Sequence, residues 1–149
     1  MNELHLLRRN NLFKAIFAGI FSGIVLGLFL KVMEQLTSLK VYTLLLNIDY
    51  IPLLNRMSLP EILEFTLHVI ISILLSICLS IFLQSRRWSP RKNIYVVMMV
   101  SLVVAVILYS TTALSERTPE ITDIPALLVW LLGHAIYGWI LGWLLRKQD

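Results

Sequence analysis

Three ionisable side chains fall inside long apolar runs of this sequence, where a buried charge is costly. Glu64 and His68 lie four residues apart in the run 60–83, and His134 lies near the middle of the run 124–145. Residues four apart share one face of a helix, so the carboxylate and the imidazole could exchange a proton. Because ionisable residues within membrane spans commonly serve proton or ion movement, we take these three as candidate proton- or ion-binding residues.

A fourth candidate is Glu34, close to the end of the first apolar run. All four residues also have a structural interpretation, in which the carboxylates reach the membrane surface and the imidazoles hydrogen-bond between helices. A metal site is the sharper chemical alternative, because one carboxylate and two imidazoles could make a three-ligand site with one position open. The sequence contains no H-E-x-x-H or C-x-x-C motif, and we predict neither a metal nor another cofactor.

Small residues recur at intervals of four in three of the apolar runs. The serines of the second run continue the line that begins at Glu64 and His68, and their hydroxyls could extend a hydrogen-bonded path. Small residues in this spacing are also typical of closely packed transmembrane helices, and we favour that interpretation. The residues predicted to pack helices together are Gly19, Gly23, Gly27, Ser72, Ser76, Gly138 and Gly142.

The composition indicates an all-α integral membrane protein in a single domain, residues 1–149. The chain is 58% hydrophobic and 15% charged, whereas soluble domains average about 45–50% apolar and about 25% charged residues. Four runs are long enough to cross a bilayer, and a more polar segment over 34–59 is expected to lie along the interface or, less favoured, to re-enter the membrane. The spans are predicted over 12–33, 60–83, 94–114 and 124–145.

The glycine and serine faces suggest how the spans pack. We expect the first, second and fourth spans to pack through these faces and the third, which has no glycine, to be peripheral. A bundle of four spans in so short a chain is expected to leave no cavity of substrate size. That expectation favours association of several copies into a homo-oligomer.

Positive charge predicts the topology. Nine of the thirteen Lys and Arg residues lie in the N-terminal head, in the turn 84–93 and in the C-terminal tail. Since cytoplasmic loops of membrane proteins carry this excess, both termini and the turn are expected in the cytoplasm. The net charge of +4 does not indicate nucleic-acid binding, because the basic residues lie at the ends of the spans, where membrane topology places them. We therefore predict the lipid bilayer, not nucleic acid, as the partner.

The first span resembles the opening helix of the YagU-like family of small bacterial inner-membrane proteins. The resemblance lies in AGIFSGIVLGLFLKVMEQL, residues 18–36, where the glycines are followed by Lys31 and Glu34. Two later stretches are similar to other helices of that family. These are TLHVIISILLS and LLGHAIYGW, which carry the family's two histidines onto His68 and His134.

The resemblance implies a bacterial plasma-membrane protein connected with acid tolerance and without an established activity. The long proline-rich segment that follows the first helix in the family is missing here, so any role of that segment is not implied for this chain. No serine–histidine–acid order, phosphate loop or dinucleotide motif occurs, and we predict that the protein is not an enzyme.

Two functional hypotheses follow from the sequence. In the first, a multi-pass membrane protein responds to, or transports, protons or ions through Glu64, His68 and His134. In the second, a non-catalytic scaffold or assembly factor uses its glycine faces to bind another membrane protein or further copies of itself.

Overall fold

The computed structural model describes residues 2–48, 59–86 and 88–146, and every regular element in these ranges is helical. Four of the helices are long and apolar enough to cross a membrane, which confirms an all-α fold with four candidate spans. The elements are α1 (Asn2–Thr37), α2 (Val41–Leu46), α3 (Glu61–Gln84), α4 (Pro90–Ser110), a 3-10 turn (Thr111–Leu114) and α5 (Ile124–Leu145).

Helix α1 begins at Asn2, ten residues before the predicted start of the first span at 12, and the other helix ends agree with the predicted spans to within four residues. The fourth span coincides with α5, whose first turn is capped by Asp123 through Ala126 N (3.0 Å). Helix α4 begins at Pro90, four residues before the predicted start at 94, because Ser89 accepts a bond from Lys92 N and proline fits the first turn. Helix α1 continues beyond the predicted end, to Thr37.

Successive long helices run in opposite directions. Asn11 Nδ2 near the start of α1 donates to Gln84 Oε1 at the end of α3 (3.3 Å), and Lys14 Nζ donates to the carbonyl of Arg146 just after α5 (3.0 Å). We call this the terminal end of the bundle. The opposite end, which we call the α2 end, carries α2 and the loop 115–123.

The four long helices pack in an open row. Helix α3 packs on α1, α1 packs on α5, and α5 packs on α4, whereas α3 and α4 are not in extensive contact within the described ranges. As predicted, the third span (α4) stands at the edge of the bundle, at one end of the row, in extensive contact with one long helix only. The extent of that one contact was not predicted. Helix α4 has the most extensive interface of the bundle, with α5.

Glycines allow the closest approaches in this row. A Cβ added to Gly19 would lie 2.7 Å from Ile73 Cα, and a Cβ added to Gly138 would lie 2.7 Å from Met98 Cα. Gly142 stands in the same way beside Ile94 Cα, at 2.8 Å. Gly138 and Gly142 therefore pack against α4, not against the first and second spans as we had expected.

The serines of α3 bond to the backbone of α1. Ser72 Oγ donates to the carbonyl of Gly19 and Ser76 Oγ donates to the carbonyl of Ala15, both at 2.7 Å. Both serines are buried. These bonds satisfy the hydroxyls locally, which hydrocarbon surroundings require.

The described part of the predicted interfacial segment is a short helix that folds over the bundle. Ser38 turns the chain after α1 with a left-handed φ of 61°, and α2 follows at once. Val41, Leu44 and Leu46 of α2 are buried. The segment therefore contributes to the protein interior. The rest of it, residues 49–58, lies outside the described residues.

Candidate functional site

A cavity of about 190 Å³ lies in the half of the bundle nearest α2. The expectation that one chain would enclose no cavity of this kind was wrong, because the open row leaves a space between α3 and α4 that α1 and α5 close on one side. Leu26 of α1 and Trp130 of α5 lie along the closed side. Residues 44–48 line the cavity where α2 folds over the bundle.

The side of the cavity between α3 and α4 is apolar. Ile70 and Ile71 of α3 line one wall, and Val104 and Leu108 of α4 line the other. Ile70 and Ile71 are also exposed on the protein surface. The cavity is therefore reached along the apolar flank of the bundle, through the gap between the two helices.

Polar groups are concentrated on the inner walls of this cavity. Glu64, His68 and His134, three of the four predicted candidates, all line it. Glu64 and His68 come from α3 and His134 comes from α5. Tyr137, one helical turn after His134, joins them. The fold therefore brings together residues that are 66 to 70 positions apart in the chain.

Glu64 is the buried acid of the site. Its side chain is 5% exposed, and Arg117 Nη1 lies 3.5 Å from Glu64 Oε1. Arg117 reaches in from the loop 115–123 and keeps 51% of its side chain exposed. Arg117 is the cationic partner of this carboxylate among the described residues, and the energy of a buried carboxylate depends strongly on such a partner.

His68 is only partly satisfied by its surroundings. Its Nε2 atom lies beside the Gly23 backbone but reaches hydrogen-bond geometry with none of the described residues. The Phe65 ring lies against the imidazole, with a centroid separation of 6.0 Å. An unpaired buried polar atom raises the free energy of an apolar interior. A hydrogen-bond partner for this nitrogen would lower that free energy, and a proton on it would add a charge.

His134 is held firmly by its own helix. Its Nδ1 atom is 3.0 Å from the carbonyl oxygen of Trp130, and its ring lies over the Trp130 indole with centroids 4.3 Å apart. The indole is itself fixed, because Trp130 Nε1 donates to the carbonyl of Ala105 on α4 (2.9 Å). The imidazole orientation thus depends on the α4–α5 interface.

Tyr137 links the site to the α1–α3 interface. Its hydroxyl lies 3.0 Å from Ser72 Oγ. Since Ser72 gives its own proton to the carbonyl of Gly19, Tyr137 acts as the donor in this pair. The hydrogen-bonded chain ends there, at a helix carbonyl.

Sequence reasoning missed Arg117 and Trp130. Arg117 is the one basic residue in the acidic loop 115–123, and that contrast could have marked it as a partner for a buried acid. Trp130 precedes His134 by four residues, the spacing at which side chains stack on one helical face. Both signals are present in the sequence, but neither specifies the partner.

Glu34, the fourth candidate, serves α2 and does not line the cavity. Its Oε2 accepts from the backbone nitrogens of Tyr42 and Thr43 (2.7 and 2.9 Å), and its Oε1 accepts from Thr43 Oγ1 (2.8 Å). The carboxylate therefore caps the first turn of a helix that has no cap of its own.

Replacing Glu34 with alanine should release α2 without unfolding the bundle. The change removes three hydrogen bonds to one carboxylate, and bonds to charged groups contribute about 1.5–3 kcal/mol each when buried; this group is half-buried. We expect faster hydrogen exchange at the amides of Tyr42 and Thr43, with the exchange of α3 and α5 amides little changed. Ser110→Ala, which removes a bond within α4 only, is the control. Equal exchange of α2 in both variants would contradict the assigned cap.

A second cluster fastens the other side of α2. Lys31 Nζ of α1 pairs with Glu61 Oε1 of α3 (2.6 Å), and the Tyr42 hydroxyl donates to the same oxygen (2.9 Å). Burial and the hydrogen bond to Glu61 raise the pKa of the Tyr42 phenol above its ordinary value. Tyr42 therefore stays protonated and keeps donating, which holds α2 over the cavity.

The three-ligand metal arrangement considered from the sequence is not assembled. Among the described residues no group of three His, Cys, Asp or Glu side chains is placed to hold a metal ion. Glu64 instead faces Arg117, and His134 is bound to Trp130.

No protein-family model, curated protein or solved structure matches this chain. Membership of the YagU-like family therefore stays a prediction.

Proposed function

We propose that this chain is a multi-pass protein of the bacterial plasma membrane that responds to protons through Glu64, His68 and His134, without a catalytic role. The observation that carries the proposal is that one interior cavity is lined by all three side chains. Clustered ionisable groups within membrane spans are expensive and are commonly retained for function.

Response to protons is better supported than conduction along the serines. Ser72 and Ser76 donate to carbonyls of α1, so their hydroxyls are engaged in helix packing. Beside them the α1 and α3 backbones come as close as Gly19 allows. A continuous proton path towards the terminal end would have to break these contacts.

Protonation of an imidazole would change the charge balance at Glu64. Within the described ranges, the titratable groups facing the cavity are Glu64 and His68 from α3 and His134 and Tyr137 from α5, with Arg117 approaching from the loop. Helices α1, α2 and α4 add no titratable side chain to the lining among the described residues. A new imidazolium would therefore compete with Arg117 for the same carboxylate.

The basic residues support the orientation that we propose, with both termini in the cytoplasm. Lys14, Arg86, Arg91, Lys92 and Arg146 all lie towards the terminal end, which is the pattern expected of a cytoplasmic surface. The scaffold hypothesis receives less support. Gly19, Gly138 and Gly142 already face neighbouring helices of the same chain, and association into a homo-oligomer or with another membrane protein stays a prediction.

Trp130 offers a direct test of proton binding. An imidazolium quenches the fluorescence of an indole in contact with it, and His134 lies on Trp130. In a variant that keeps Trp130 and carries phenylalanine at Trp88, Trp139 and Trp143, we expect a reversible loss of emission between about pH 8 and about pH 4. The measurement is steady-state fluorescence in lipid nanodiscs.

His134→Gln in the same background should abolish this dependence on pH, and His68→Gln should shift it. Gln84→Ala, a change at the exposed terminal end, is the matched control and should leave the profile in place. An identical pH profile after His134→Gln would contradict the proposal.

A further inference from the structure

We propose that the cavity binds a small organic cation with an apolar body, held by the Glu64 carboxylate and admitted between α3 and α4. The inference rests on the proposed function in that it assigns a ligand class to the same site. It adds that cation binding and proton binding oppose each other there.

Charge is the first reason for a cation. Among the described residues that line the cavity, Glu64 is the one carboxylic acid, and no Lys or Arg lines it. The remaining lining is mostly aliphatic and aromatic. An apolar site with a single buried carboxylate complements an apolar molecule with a single positive charge.

Aromatic rings strengthen this complementarity. Trp130 and Tyr137 line the cavity on the α5 side, and indole and phenol faces attract ammonium groups within about 6 Å. The cavity of about 190 Å³ exceeds the roughly 150 Å³ of an engineered apolar cavity that binds benzene. It therefore suits one ring or one short alkyl chain with an ammonium group.

Arg117 already acts as a cation for this acid. Its Nη1 approaches Glu64 Oε1 to 3.5 Å, and half of its side chain remains exposed, so the guanidinium sits at the margin of the cavity. A ligand ammonium could displace it from Glu64 and leave it in contact with water. Arg117 would then compete with the ligand, and its removal should favour binding.

The route of access follows from the helix order. Since α3 and α4 do not pack extensively on each other, the walls formed by Ile71 and Val104 face a gap on the apolar flank. An amphiphile dissolved in the bilayer could enter there with its charge leading. Its alkyl part would replace lipid against the same aliphatic side chains.

The two imidazoles make binding depend on pH. A proton on His68 or His134 places a second positive charge in the cavity that the ligand cation must share with Glu64. Like charges in an apolar enclosure repel strongly. Tyr42 and Lys31 do not take part, because both are bound to Glu61 on the outer face of α3.

The test is binding of hexyltrimethylammonium to the full chain in nanodiscs of zwitterionic lipid, measured by calorimetry. Its charge does not change with pH. The control ligand is its neutral tert-butyl analogue, in which carbon replaces the nitrogen and the shape is kept. We expect the cation to bind at least about tenfold more tightly than the analogue, and to weaken by a similar factor on acidification.

The ligand affinities of three variants test whether Glu64 and Arg117 act as proposed. Glu64→Gln should weaken cation binding by about tenfold or more, whereas Arg117→Gln should strengthen it. Glu120→Gln, at an exposed acid of the loop 115–123 that does not line the cavity, is the matched control and should leave the affinity unchanged. The opposite effects at Glu64 and Arg117 keep the test informative even if one of the two proteins does not fold.

Two further outcomes separate this inference from the proposed function. Equal affinity for the cation and the tert-butyl analogue, with affinity unmoved by Arg117→Gln, would overturn the cation site and leave the proton response standing. Selective cation binding with equal affinity at neutral and acidic pH would instead support the cation site. It would contradict both the proton response and the opposition between proton and cation.

Discussion

Alanine at Gly19 is expected to lower the free energy of unfolding by about 1–3 kcal/mol, the range for overpacking a close interface. The added Cβ would lie 2.7 Å from Ile73 Cα and 3.0 Å from the carbonyl oxygen of Ser72. Both atoms belong to the backbone of α3, so the helix as a whole must move. The movement would also lengthen the bond from Ser72 Oγ to Gly19.

The matched control is Gly133→Ala. A Cβ there would meet Leu26 Cδ1 at 3.0 Å, and Leu30 Cδ2 and Phe29 Cδ1 at 3.1 Å. All three are side-chain atoms, which can shift by a few tenths of an ångström without moving a helix backbone. Reversible unfolding in mixed detergent micelles would compare the two variants. Equal losses of stability would show that the α1–α3 backbone contact is not special.

Truncation of Trp130 to alanine should cost about 3 kcal/mol, the low end of the range for deleting a buried aromatic side chain. The indole is 1% exposed, donates to the carbonyl of Ala105 and lies against His134. In lipid the unfolded chain also surrounds an indole with apolar groups, so the loss is mainly of packing and of the hydrogen bond. The change also enlarges the cavity.

Trp139→Ala is the control for this prediction, because Trp139 lies on the same helix with 57% of its surface exposed. We expect a loss below about 1 kcal/mol there. The affinity of the Trp130 variant for the ammonium ligand should also fall, because the variant lacks the indole face that attracts the cation. A Trp130 variant as stable as the Trp139 variant would contradict the assigned role of the buried indole.

The spans could be predicted from the sequence because each depends on local information. Apolar length sets the number of membrane helices. Ser89 and Asp123 set helix starts because their side chains accept bonds from backbone nitrogens three residues later, and Pro90 fits the first turn. The last span was predicted with the bounds that α5 has. Such properties need no knowledge of the neighbouring helix.

The partner of each glycine could not be predicted, because spacing shows that a face is small but not which helix occupies it. Gly138 and Gly142 were assigned to the wrong neighbours for this reason. The third span was judged by its lack of glycine, although Ser101 and Ala105, four residues apart, give α4 a small buried face of its own. That pair was the available signal.

Three of the four candidate site residues could be predicted from their types, but the cavity could not. Glu64, His68 and His134 were conspicuous as ionisable residues in apolar runs. Glu34 was equally conspicuous, and only the position of α2 shows that its carboxylate is a helix cap. From the length of the chain we had expected no cavity of substrate size. The cavity exists because of the order in which the helices pack, which chain length does not indicate.

The row arrangement makes the gap between α3 and α4 sensitive to the surrounding bilayer. The two helices are neighbours in sequence, joined at the terminal end by the short stretch between Gln84 and Pro90. Elsewhere α3 is connected to α4 through three helix interfaces in turn, α3 with α1, α1 with α5 and α5 with α4. A small tilt at each interface adds to the next, and the short connection restricts separation at its own end. Changes in bilayer thickness or lateral pressure would therefore act mainly on the α2 end, and the volume available to a ligand would vary with the lipid composition of the cell.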